Sequence, residues 1–364
     1  MRLSPKFLLQ TEALINRRAL AVALLLVFMS GAGSAQTGAS PPLVRYEATH
    51  NAMGTVYKVA AYGANQAYVS EVLRQAFEII DRLDQQMSNY KPDSELSAIN
   101  REAGRENVMV EPHLFGLLQD SFRFSQETDG AFDVTVGPLM KAWGFFRGRG
   151  RLPSPQEIHQ LLNSVGYQHV TLDAAQRTIR FDGPGTEIDL GGIAKGYAVD
   201  RVVDLLREDH ISAALISAGT SSIYALGAPP GERAWHIQLR DPFDATRSTD
   251  VIDLKNYSLS TSGDYVKFFM MGGKMYSHIM NPHTGMPVEN MLSTAVAAAS
   301  TTDSDALSTA FYVMGVGASR RYADAHPNLA ALFYLPGEQP KTFRRVRVRS
   351  ASFAPPMAAL VEIR

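Results

Sequence analysis

The sequence predicts an α+β fold in which a mixed sheet is packed against helices. Strand-like and helix-like segments follow one another without the regular β-α-β alternation of a doubly wound sheet. The chain has 364 residues, of which 45% are hydrophobic and 20% are charged, so it can bury a sizeable core. The sequence shows no internal repeat and no long low-complexity segment. These observations favour an α+β domain over a repeat architecture or a doubly wound one.

The charge balance and the absence of cysteine exclude several classes of function. The formal net charge is -1, which gives no reason to expect nucleic-acid binding. The basic run Arg344–Arg349 is interpreted as one solvated face of a strand. There is no cysteine, which excludes disulfides, thiolate metal sites, cysteine nucleophiles and a lipoprotein anchor.

The N-terminal segment has the pattern of an export signal. Basic residues, the last two being Arg17 and Arg18, precede the apolar run Ala19–Met29 and the small residues Ser30–Ala35. That run is short for a transmembrane helix and typical of a signal peptide, so residues 1–35 are predicted to be one. An uncleaved anchor is the alternative, and the arginine pair loosely fits the twin-arginine route. We expect an exported protein in the periplasm or on the outer face of the cytoplasmic membrane.

A Ser-, Gly- and Pro-rich flexible lead is expected over residues 36–47, and the globular domain over residues 48–364. Apolar residues recur at helical spacing from Ala67 to Met87, and Ser154–Glu157 has the pattern of a capping box that starts a helix. The remaining elements predicted for the first half are a strand over Thr55–Tyr62, helices over Ser94–Asn100 and Leu114–Glu127, an extended start for Ala131–Pro138, and a hairpin of Val170–Asp173 with Thr178–Phe181.

The second half is predicted to supply most of the sheet. A helix starts near Tyr197, and another spans Asp305–Val316. The predicted strands are Ala213–Gly219, Trp235–Arg240, Val251–Leu254, Tyr257–Thr261, a strand from Met275 that ends in a turn at Gly285, Thr294–Ala299, Leu329–Tyr334 and Phe343–Val348.

The segment Ile188–Asp200 is the first candidate for chemistry. A strand is expected to pass into a helix here through Gly191, Gly192 and Gly196, with Lys195 among them. Glycines let backbone N–H groups approach an anion, and a helix start adds partial positive charge. The segment is therefore interpreted as a phosphate-binding turn, although its spacing is not that of the P-loop. An ordinary tight connection is the alternative.

Asp305 and Thr309 are four residues apart on a predicted helix and therefore share a face. A carboxylate and a hydroxyl are hard oxygen donors, which suit Mg²⁺. Alternatively, Asp305 lies at the start of its own helix near the dipole, with Thr309 exposed.

His278 is the candidate for proton transfer, because it follows a strand and precedes a turn, where side chains are accessible. A half-buried strand histidine is the alternative, and His283 is expected to be exposed. The sequence has no zinc-ligand spacing and no Gly-x-Ser-x-Gly elbow.

Several aromatic residues flank turns and could stack on a nucleotide or flavin ring. Together with three acidic residues they suggest a site for a polyphosphorylated aromatic ligand with Mg²⁺, although packing explains any single one. The aromatic residues are Tyr90, Phe132, Tyr197 and Tyr265, and the acidic residues are Asp133, Asp189 and Asp264.

A set of short segments, in one order along nearly the whole domain, together resembles the FAD:protein FMN transferase family (the ApbE family). Each segment is weak alone, and the ordered set is specific. The segments are Met53–Thr55, Ser88–Tyr90, Ser94–Asn100, Thr128–Asp133 with Gly137-Pro138, Asp189–Gly196, Thr261–Gly263, His278–Gly285 and Ser304–Thr309.

The resemblance implies an exported, membrane-associated transferase with a T-fold-related α+β fold and an active site in a cleft between subdomains. Such enzymes use Mg²⁺, cleave FAD, release AMP and attach FMN by a phosphoester to a Thr or Ser of an acceptor flavoprotein, usually of a membrane redox complex. It also implies residue roles: an FAD site of Met53, Tyr90, Ala131, Phe132, Asp133, Asp189, Lys195 and Ile279, an Mg²⁺ site of the Gly192 carbonyl, Asp305 and Thr309, and His278 as catalytic residue.

Two departures from the family pattern affect the expected site. Gly219–Ser222 stands where a Gly-Gly-Asn or Gly-Gly-Asp loop is common, and Asn281-Pro282 stands where Asp-Pro is usual. A neutral Asn281 can still cap the turn. An FAD pyrophosphatase and a non-catalytic FAD-binding or scavenging protein remain as alternative functions.

Overall fold

The structure, a computed structural model, describes residues 42–148, 150–244, 246–263, 268–355 and 359–363. The predicted signal peptide and the first part of the predicted flexible lead lie outside these ranges. The first strand begins at Val44, so the last residues of the lead are strand and not flexible chain.

The bounds of the elements are as follows. The helices are α1 Gln66–Met87, α2 Glu95–Glu102, α3 Pro112–Glu127, α4 Gly137–Ala142, α5 Pro155–Leu162, α6 Ala194–Glu208 and α7 Thr301–Ala325, the last interrupted at Gly315. The strands are β1 Val44–Ala52, β2 Thr55–Gly63, β3 Val108–Met109, β4 Val170–Asp173, β5 Thr178–Phe181, β6 Ala214–Ala218, β7 Ser222–Leu226, β8 Trp235–Arg240, β9 Ser248–Lys255, β10 Tyr257–Gly263, β11 Phe268–Met271, β12 Lys274–Ser277, β13 Met280–Asn281, β14 Met286–Pro287, β15 Ser293–Ala298, β16 Ala330–Pro336, β17 Phe343–Arg349 and β18 Leu360–Ile363.

An eight-stranded antiparallel sheet, in the order β1-β2-β6-β7-β10-β15-β16-β17, lies between two layers. All residues of strand β15 are buried, which shows that both faces of the sheet are covered. Val296 and Ala298 face the core that holds α1, α3, α6 and α7. Ala295 and Ala297 face a second core under the three-stranded sheet β18-β9-β8. Side chains alternate along a strand, so this apolar strand supplies both cores.

The predicted long helix and the predicted helix start at Ser154 are confirmed, although the Glu157 carboxylate pairs with Arg151 and so the reciprocal half of the capping box is not seen. Helix α1 spans Gln66–Met87 and buries the apolar stripe on which its prediction rests. Ser154 caps α5, because its hydroxyl accepts a hydrogen bond from the backbone N–H of Glu157 at 3.2 Å. Both features are local in sequence, which is why local patterns are sufficient to predict them.

The extended start expected for Ala131–Pro138 is wrong. The segment forms one isolated bridge, between Val136 and Glu187, and helix α4 begins at Gly137. The backbone turns because the Asp133 carboxylate accepts hydrogen bonds from the backbone N–H and hydroxyl of Thr135, at 2.8 and 2.6 Å. Pro138 then lies in the first turn of α4, where its missing N–H costs nothing.

Within the described ranges, none of the helices is long and apolar enough to cross a membrane.

Helices α6 and α7 cross in close contact at Gly196. A Cβ atom at this position would lie 2.3 Å from the carbonyl oxygen of Thr301 and 2.7 Å from the Cβ of Asp305. The glycine is therefore required by the approach of the α7 backbone, and not by a left-handed conformation.

We expect Gly196→Ala to lower the free energy of unfolding by about 1–3 kcal/mol, because the added methyl group forces the two helices apart. The matched control is Gly116→Ala within α3, where no atom lies within 4 Å of the added Cβ. That change should instead raise the free energy of unfolding by about 0.5–1 kcal/mol through helix propensity. Urea denaturation of the full chain measures both, and equal effects of the two substitutions would contradict the packing argument.

Candidate active site

The segment before α6 is a side-chain-supported turn. The Asp189 carboxylate accepts a hydrogen bond from the N–H of Gly191 at 2.7 Å, and the Lys195 ammonium donates to the carbonyl of Gly191 at 2.6 Å. Helix α6 begins at Ala194, so Lys195 lies in its first turn and not before it. The strand expected here is absent from the described structure, where Ile188 and Asp189 are irregular.

Two asparagines hold this segment in place. Asn100 accepts a hydrogen bond from the N–H of Ile188 at 2.8 Å and donates to its carbonyl at 2.9 Å. Asn89 donates to the same carbonyl at 2.7 Å. This positioning role went unrecognised in the sequence, although both residues lie within segments that carry the family resemblance.

Asp305 reaches from α7 to the start of α6. Its side chain is buried and its Oδ2 accepts a hydrogen bond from the N–H of Gly196 at 2.9 Å. Helix α6 has no side-chain cap from its own N-cap residue, Ile193, so Asp305 satisfies one of its free N–H groups. Because α7 begins at Thr301, Asp305 lies one turn inside it. The alternative in which Asp305 sits at the start of its own helix is therefore wrong.

Asp200 makes the reciprocal contact from α6 to α7. Its carboxylate accepts hydrogen bonds from the N–H groups of Thr301 and Thr302, both at 2.8 Å, and from the Thr302 hydroxyl at 2.6 Å. Burial raises the pKa of Asp200, and these hydrogen bonds partly oppose that rise. Each helix thus supplies a carboxylate to the start of the other.

These contacts change the interpretation of the glycine turn. The N–H groups of Gly191 and Gly196, expected to face an anion, are bound to the carboxylates of Asp189 and Asp305. The start of α6 therefore carries two acidic groups, which repel a bare phosphate. The ammonium of Lys195 lies at the same turn and offsets part of this repulsion.

Hard oxygen donors converge beside that turn. A Cβ atom on Gly192 would lie 3.4 Å from the hydroxyl of Thr309 and 3.2 Å from the ring of Phe132, so these residues lie together. The Ser221 hydroxyl lies 3.5 Å from Oδ1 of Asp305. The Ser262 hydroxyl lies 3.3 Å from that of Thr309.

This donor set fits Mg²⁺, which prefers carboxylate, hydroxyl and carbonyl oxygens and retains several waters. In the described part of the chain, no group of three or more His, Asp or Glu side chains is placed to hold a metal. The set found here differs from such a cluster, because it combines one carboxylate with hydroxyl groups and a glycine backbone. The structure thus brings Gly192, Asp305 and Thr309 together as the sequence resemblance implies.

Met53 and Tyr90, two of the predicted FAD contacts, each contact an aromatic side chain. The Tyr57 hydroxyl donates to the sulfur of Met53 at 3.0 Å. Burial raises the pKa of Tyr57, and the charges of Asp305 and Asp84 raise it further. Tyr90 is 55% exposed and stacks on Phe146 with ring centroids 4.5 Å apart. Desolvation raises the pKa of Tyr90, with a further contribution from Asp189.

The loop of Ala131, Phe132 and Asp133 links the turn to the histidine segment. All three residues are buried, and the Asp133 carboxylate also accepts from the N–H of Tyr167 at 2.7 Å. Burial raises the pKa of Asp133, opposed by these hydrogen bonds and by His283. The ring of His283 is exposed, as expected, and lies against Gly130 at the start of this loop.

His278 follows β12, and its ring makes an edge contact with Phe145 at a centroid distance of 6.4 Å. Ile279 is buried in the main core, which anchors the segment. Asn281 accepts a hydrogen bond from the N–H of His283 at 2.9 Å, so the expectation that a neutral Asn caps this turn is confirmed. The carboxylate usual in the family is not needed for this contact.

Tyr197 and Tyr265, which the sequence suggests as residues that could stack on a ligand ring, are not among the contacts described above. Tyr197 is buried in the main core beneath Arg201, whose guanidinium lies 5.1 Å from the ring centroid, so packing explains it. Tyr265 and Asp264 lie outside the described residues.

Comparison with known proteins agrees with the motif set. Residues 53–333 match the model of the ApbE family. The FAD:protein FMN transferase of Treponema pallidum is 30% identical over 352 residues, which cover 91% of this chain and 96% of that protein. The FAD:protein FMN transferase of Klebsiella pneumoniae is 34% identical over 267 residues, covering 72% and 81%.

Solved structures show the same fold. The ApbE protein of Thermotoga maritima is 32% identical, with a TM-score of 0.76 and coverage of 85% of this chain and 98% of that one. The flavin transferase ApbE of Vibrio cholerae is 29% identical, with a TM-score of 0.75 and coverage of 86% and 99%. The predicted α+β fold is thereby confirmed.

The fold and the matches together define an enzyme of the transferase class that handles a flavin nucleotide. More particularly, the chain belongs to the ApbE family, and the resemblance seen in the sequence is confirmed.

We expect Asp200→Ala to lower the free energy of unfolding by about 1–3 kcal/mol, because two N–H groups at the start of α7 lose their acceptor. Asp200→Asn is the matched control, since an amide oxygen keeps one acceptor and removes the buried charge. It should therefore lose less stability than the alanine variant. Chemical denaturation of the full chain gives the comparison, and an asparagine variant as unstable as the alanine variant would refute the capping role.

Proposed function

We propose that this protein is an Mg²⁺-dependent FAD:protein FMN transferase. It takes FMN from FAD, attaches it by a phosphoester to a Thr or Ser of an acceptor flavoprotein, and releases AMP. The observation that carries the proposal is the convergence of Asp305, Thr309 and Gly192 beside Lys195 at the start of α6. The curated relatives named FAD:protein FMN transferase support the substrate and the reaction.

The electrostatics of the turn support a requirement for a cation. Asp189 and Asp305 occupy N–H groups of the turn and repel the pyrophosphate of FAD. When bound by Asp305, Thr309 and the Gly192 carbonyl, Mg²⁺ would neutralise this repulsion and polarise the phosphate. Lys195 would exchange its contact with Gly191 for a phosphate oxygen, which adds a positive charge on the same side.

In the reaction, the acceptor hydroxyl oxygen forms a bond to the FMN phosphorus of the pyrophosphate. The bond from that phosphorus to the bridging oxygen breaks, and AMP leaves with the electron pair. His278 takes the proton of the hydroxyl as its oxygen attacks. Met53, Tyr90, Ala131, Phe132, Asp133, Asp189, Lys195 and Ile279 would line the FAD site.

The exported, membrane-associated location also belongs to this proposal. It is motivated by the basic residues, apolar run and small residues of positions 1–35. The partner would be a flavoprotein subunit of a membrane redox complex on the same side of the membrane.

The function is tested with the full chain, FAD, Mg²⁺ and a panel of purified acceptor domains, with mass spectrometry of the acceptor as readout. We expect a mass gain equal to one phosphoester-linked FMN, and an equal amount of AMP. Release of free FMN without acceptor labelling would instead show a pyrophosphatase. FAD binding without either product would show a binding protein.

Asp305→Asn should reduce kcat by about 10²-fold or more, because the carboxylate charge at the cation site is lost while an oxygen remains for the N–H of Gly196. The matched control on the same helix is Asp303→Asn, whose carboxylate faces Arg123 at 3.7 Å instead. Rates measured over a range of Mg²⁺ concentrations make the comparison. Equal rates for Asp305→Asn and the unmodified enzyme would contradict the cation site.

His278→Ala should slow transfer by about 10²–10⁴-fold, since the acceptor hydroxyl loses its base, while FAD affinity stays within about twofold. His113→Ala, at the exposed start of α3, is the control. Single-turnover transfer and FAD fluorescence quenching separate the two quantities. Loss of FAD binding in the His278 variant would assign this histidine to the FAD site instead.

A further inference from the structure

A short turn after α4 presents two consecutive aromatic rings to two different parts of the candidate site. Residues Phe145–Arg147 form one turn of 3₁₀ helix. The residues on either side of it, Gly144 and Gly148, have left-handed backbone φ angles of 76° and 64°. Glycine adopts such angles without steric cost, so the chain can bend sharply before and after the two rings. We call residues 144–148 the aromatic turn.

The first ring of the aromatic turn contacts the segment that carries the proposed base. Phe145 makes the edge contact with His278 at 6.4 Å, and its ring lies 5.3 Å from that of Phe269. Directly before the turn, the indole N–H of the buried Trp143 donates a hydrogen bond to the carbonyl of Gly285 at 2.9 Å. Both ends of the segment from His278 to Gly285 are therefore in contact with the aromatic turn or the residue before it.

The second ring of the aromatic turn contacts a residue of the proposed FAD site. Phe146 stacks on Tyr90, with ring centroids 4.5 Å apart and an angle of 11° between the planes. The neighbour of Tyr90, Asn89, donates to the carbonyl of Ile188, which directly precedes Asp189. The stacked pair is thereby attached to the start of the glycine turn. Because Phe146 covers one face of the Tyr90 ring, another aromatic ring can stack only on its other face.

Helix α4 supports the stacked pair through Lys141. The Lys141 ammonium lies 5.3 Å from the centroid of the Phe146 ring, where a cation is attracted to the aromatic face. The same ammonium forms an ion pair with Glu187 at 2.5 Å, two residues before Asp189. A second connection thus runs from α4 to the glycine turn.

The aromatic turn is closed at its base by Arg151. The backbone N–H of Arg151 donates to the carbonyl of Trp143 at 3.0 Å, and its guanidinium donates to the carbonyl of Ala142 at 2.8 Å. The chain therefore leaves the end of α4 and returns to the same point. Closure of this kind fixes the two rings relative to α4, which is the condition for them to position other groups.

We propose that Phe145 and Phe146 are positioning residues of the transfer reaction. Phe146 orients the Tyr90 ring for stacking on an aromatic ring of FAD, and Phe145 orients the imidazole of His278 for the acceptor hydroxyl. This inference rests on the proposed function, and neither phenylalanine is among the residues that the family resemblance implies. Because both rings belong to one closed turn, they hold the FAD contact and the base in one geometry. Small displacements of reacting groups cost much of the rate.

The role of Phe146 is tested by FAD binding to the full chain, measured by calorimetry. Phe146→Leu should raise the Kd for FAD by about 3–10-fold, because Tyr90 loses its stacking partner. Phe146→Tyr keeps a ring and should bind FAD within about twofold of the unmodified chain. In a Tyr90→Leu background, Phe146→Leu should raise the Kd no further, since its effect passes through Tyr90. A full additional rise in that background would overturn this role.

The role of Phe145 is tested by single-turnover transfer to an acceptor domain that the unmodified chain labels with FMN. Phe145→Leu should slow transfer about tenfold while the Kd for FAD stays within about twofold, because only the base is displaced. Phe145→Tyr should retain the rate within about twofold. In a His278→Ala background, Phe145→Leu should slow transfer no further. A loss of the same size in that background would show packing alone and would overturn this role.

The matched control is Phe77→Leu on α1. Phe77 is a half-buried phenylalanine that also stacks on a neighbouring ring, that of His50, at 5.1 Å. Its substitution should leave both the Kd for FAD and the transfer rate within about twofold. Chemical denaturation checks that each variant is folded. Where a leucine variant is not folded, methionine at the same position takes its place, because it fills more of the lost volume.

The proposed function and the positioning roles fail in different ways in this design. If the unmodified chain binds FAD but labels no acceptor, the proposed function fails and the role of Phe145 falls with it. The binding comparison of the Phe146 and Tyr90 variants then still decides the role of Phe146. If the unmodified chain labels the acceptor and the leucine effects add to those of Tyr90→Leu and His278→Ala, the positioning roles alone are overturned.

Discussion

The exchange of carboxylates between α6 and α7 is the interaction on which the site depends. Asp200 of α6 satisfies the N–H groups at the start of α7, and Asp305 of α7 satisfies an N–H at the start of α6. A buried carboxylate is costly unless it is hydrogen-bonded, and a buried N–H without an acceptor is costly as well. The N–H groups at the start of each helix therefore offset the free-energy cost of burying the carboxylate that the other helix supplies. The contact distance at Gly196 makes this exchange possible.

The same exchange determines what the site can bind. Because Asp305 and Asp189 occupy the N–H groups of the turn, the usual positive character of a helix start is offset by two acids. The start of α6 is therefore less suited to a phosphate alone than its glycine pattern predicts. Asp305 has one oxygen committed to α6 and the other beside Ser221, so the residue that joins the helices also faces the donor set.

The central sheet keeps α7 in place beneath this site. Strand β10 contacts α7 through hydroxyl pairs, Ser260 with Ser304 at 2.7 Å and Ser262 with Ser308 at 2.9 Å. Buried hydroxyls in such pairs satisfy one another, and small side chains allow the helix to lie close to the strand. The position of Thr309, next along the helix, is therefore set by the sheet and not by the loops around it.

Features that depend on nearby residues could be predicted from the sequence. The apolar period of α1, the N-cap Ser154 of α5 and the turn capped by Asn281 involve contacts within a few positions of the chain. The ordered motifs predicted the family for a different reason, since each one reflects a position where the shared site constrains the residue type. The placement of Gly192, Asp305 and Thr309 follows from that constraint.

The features that the sequence did not predict depend on contacts between residues far apart in the chain. The start of α6 lies earlier than its apolar period predicts, because Asp305, more than a hundred positions away, satisfies Gly196. The glycine N–H groups expected to bind phosphate are bound by carboxylates, and only the fold shows which acids reach them. The apolar periodicity of a helix is a local property, whereas the partner of a backbone N–H depends on which segments meet. The sequence by itself thus determined the family and the residue types of the site, and the tertiary structure decided which carboxylates bind the N–H groups of its glycine turn.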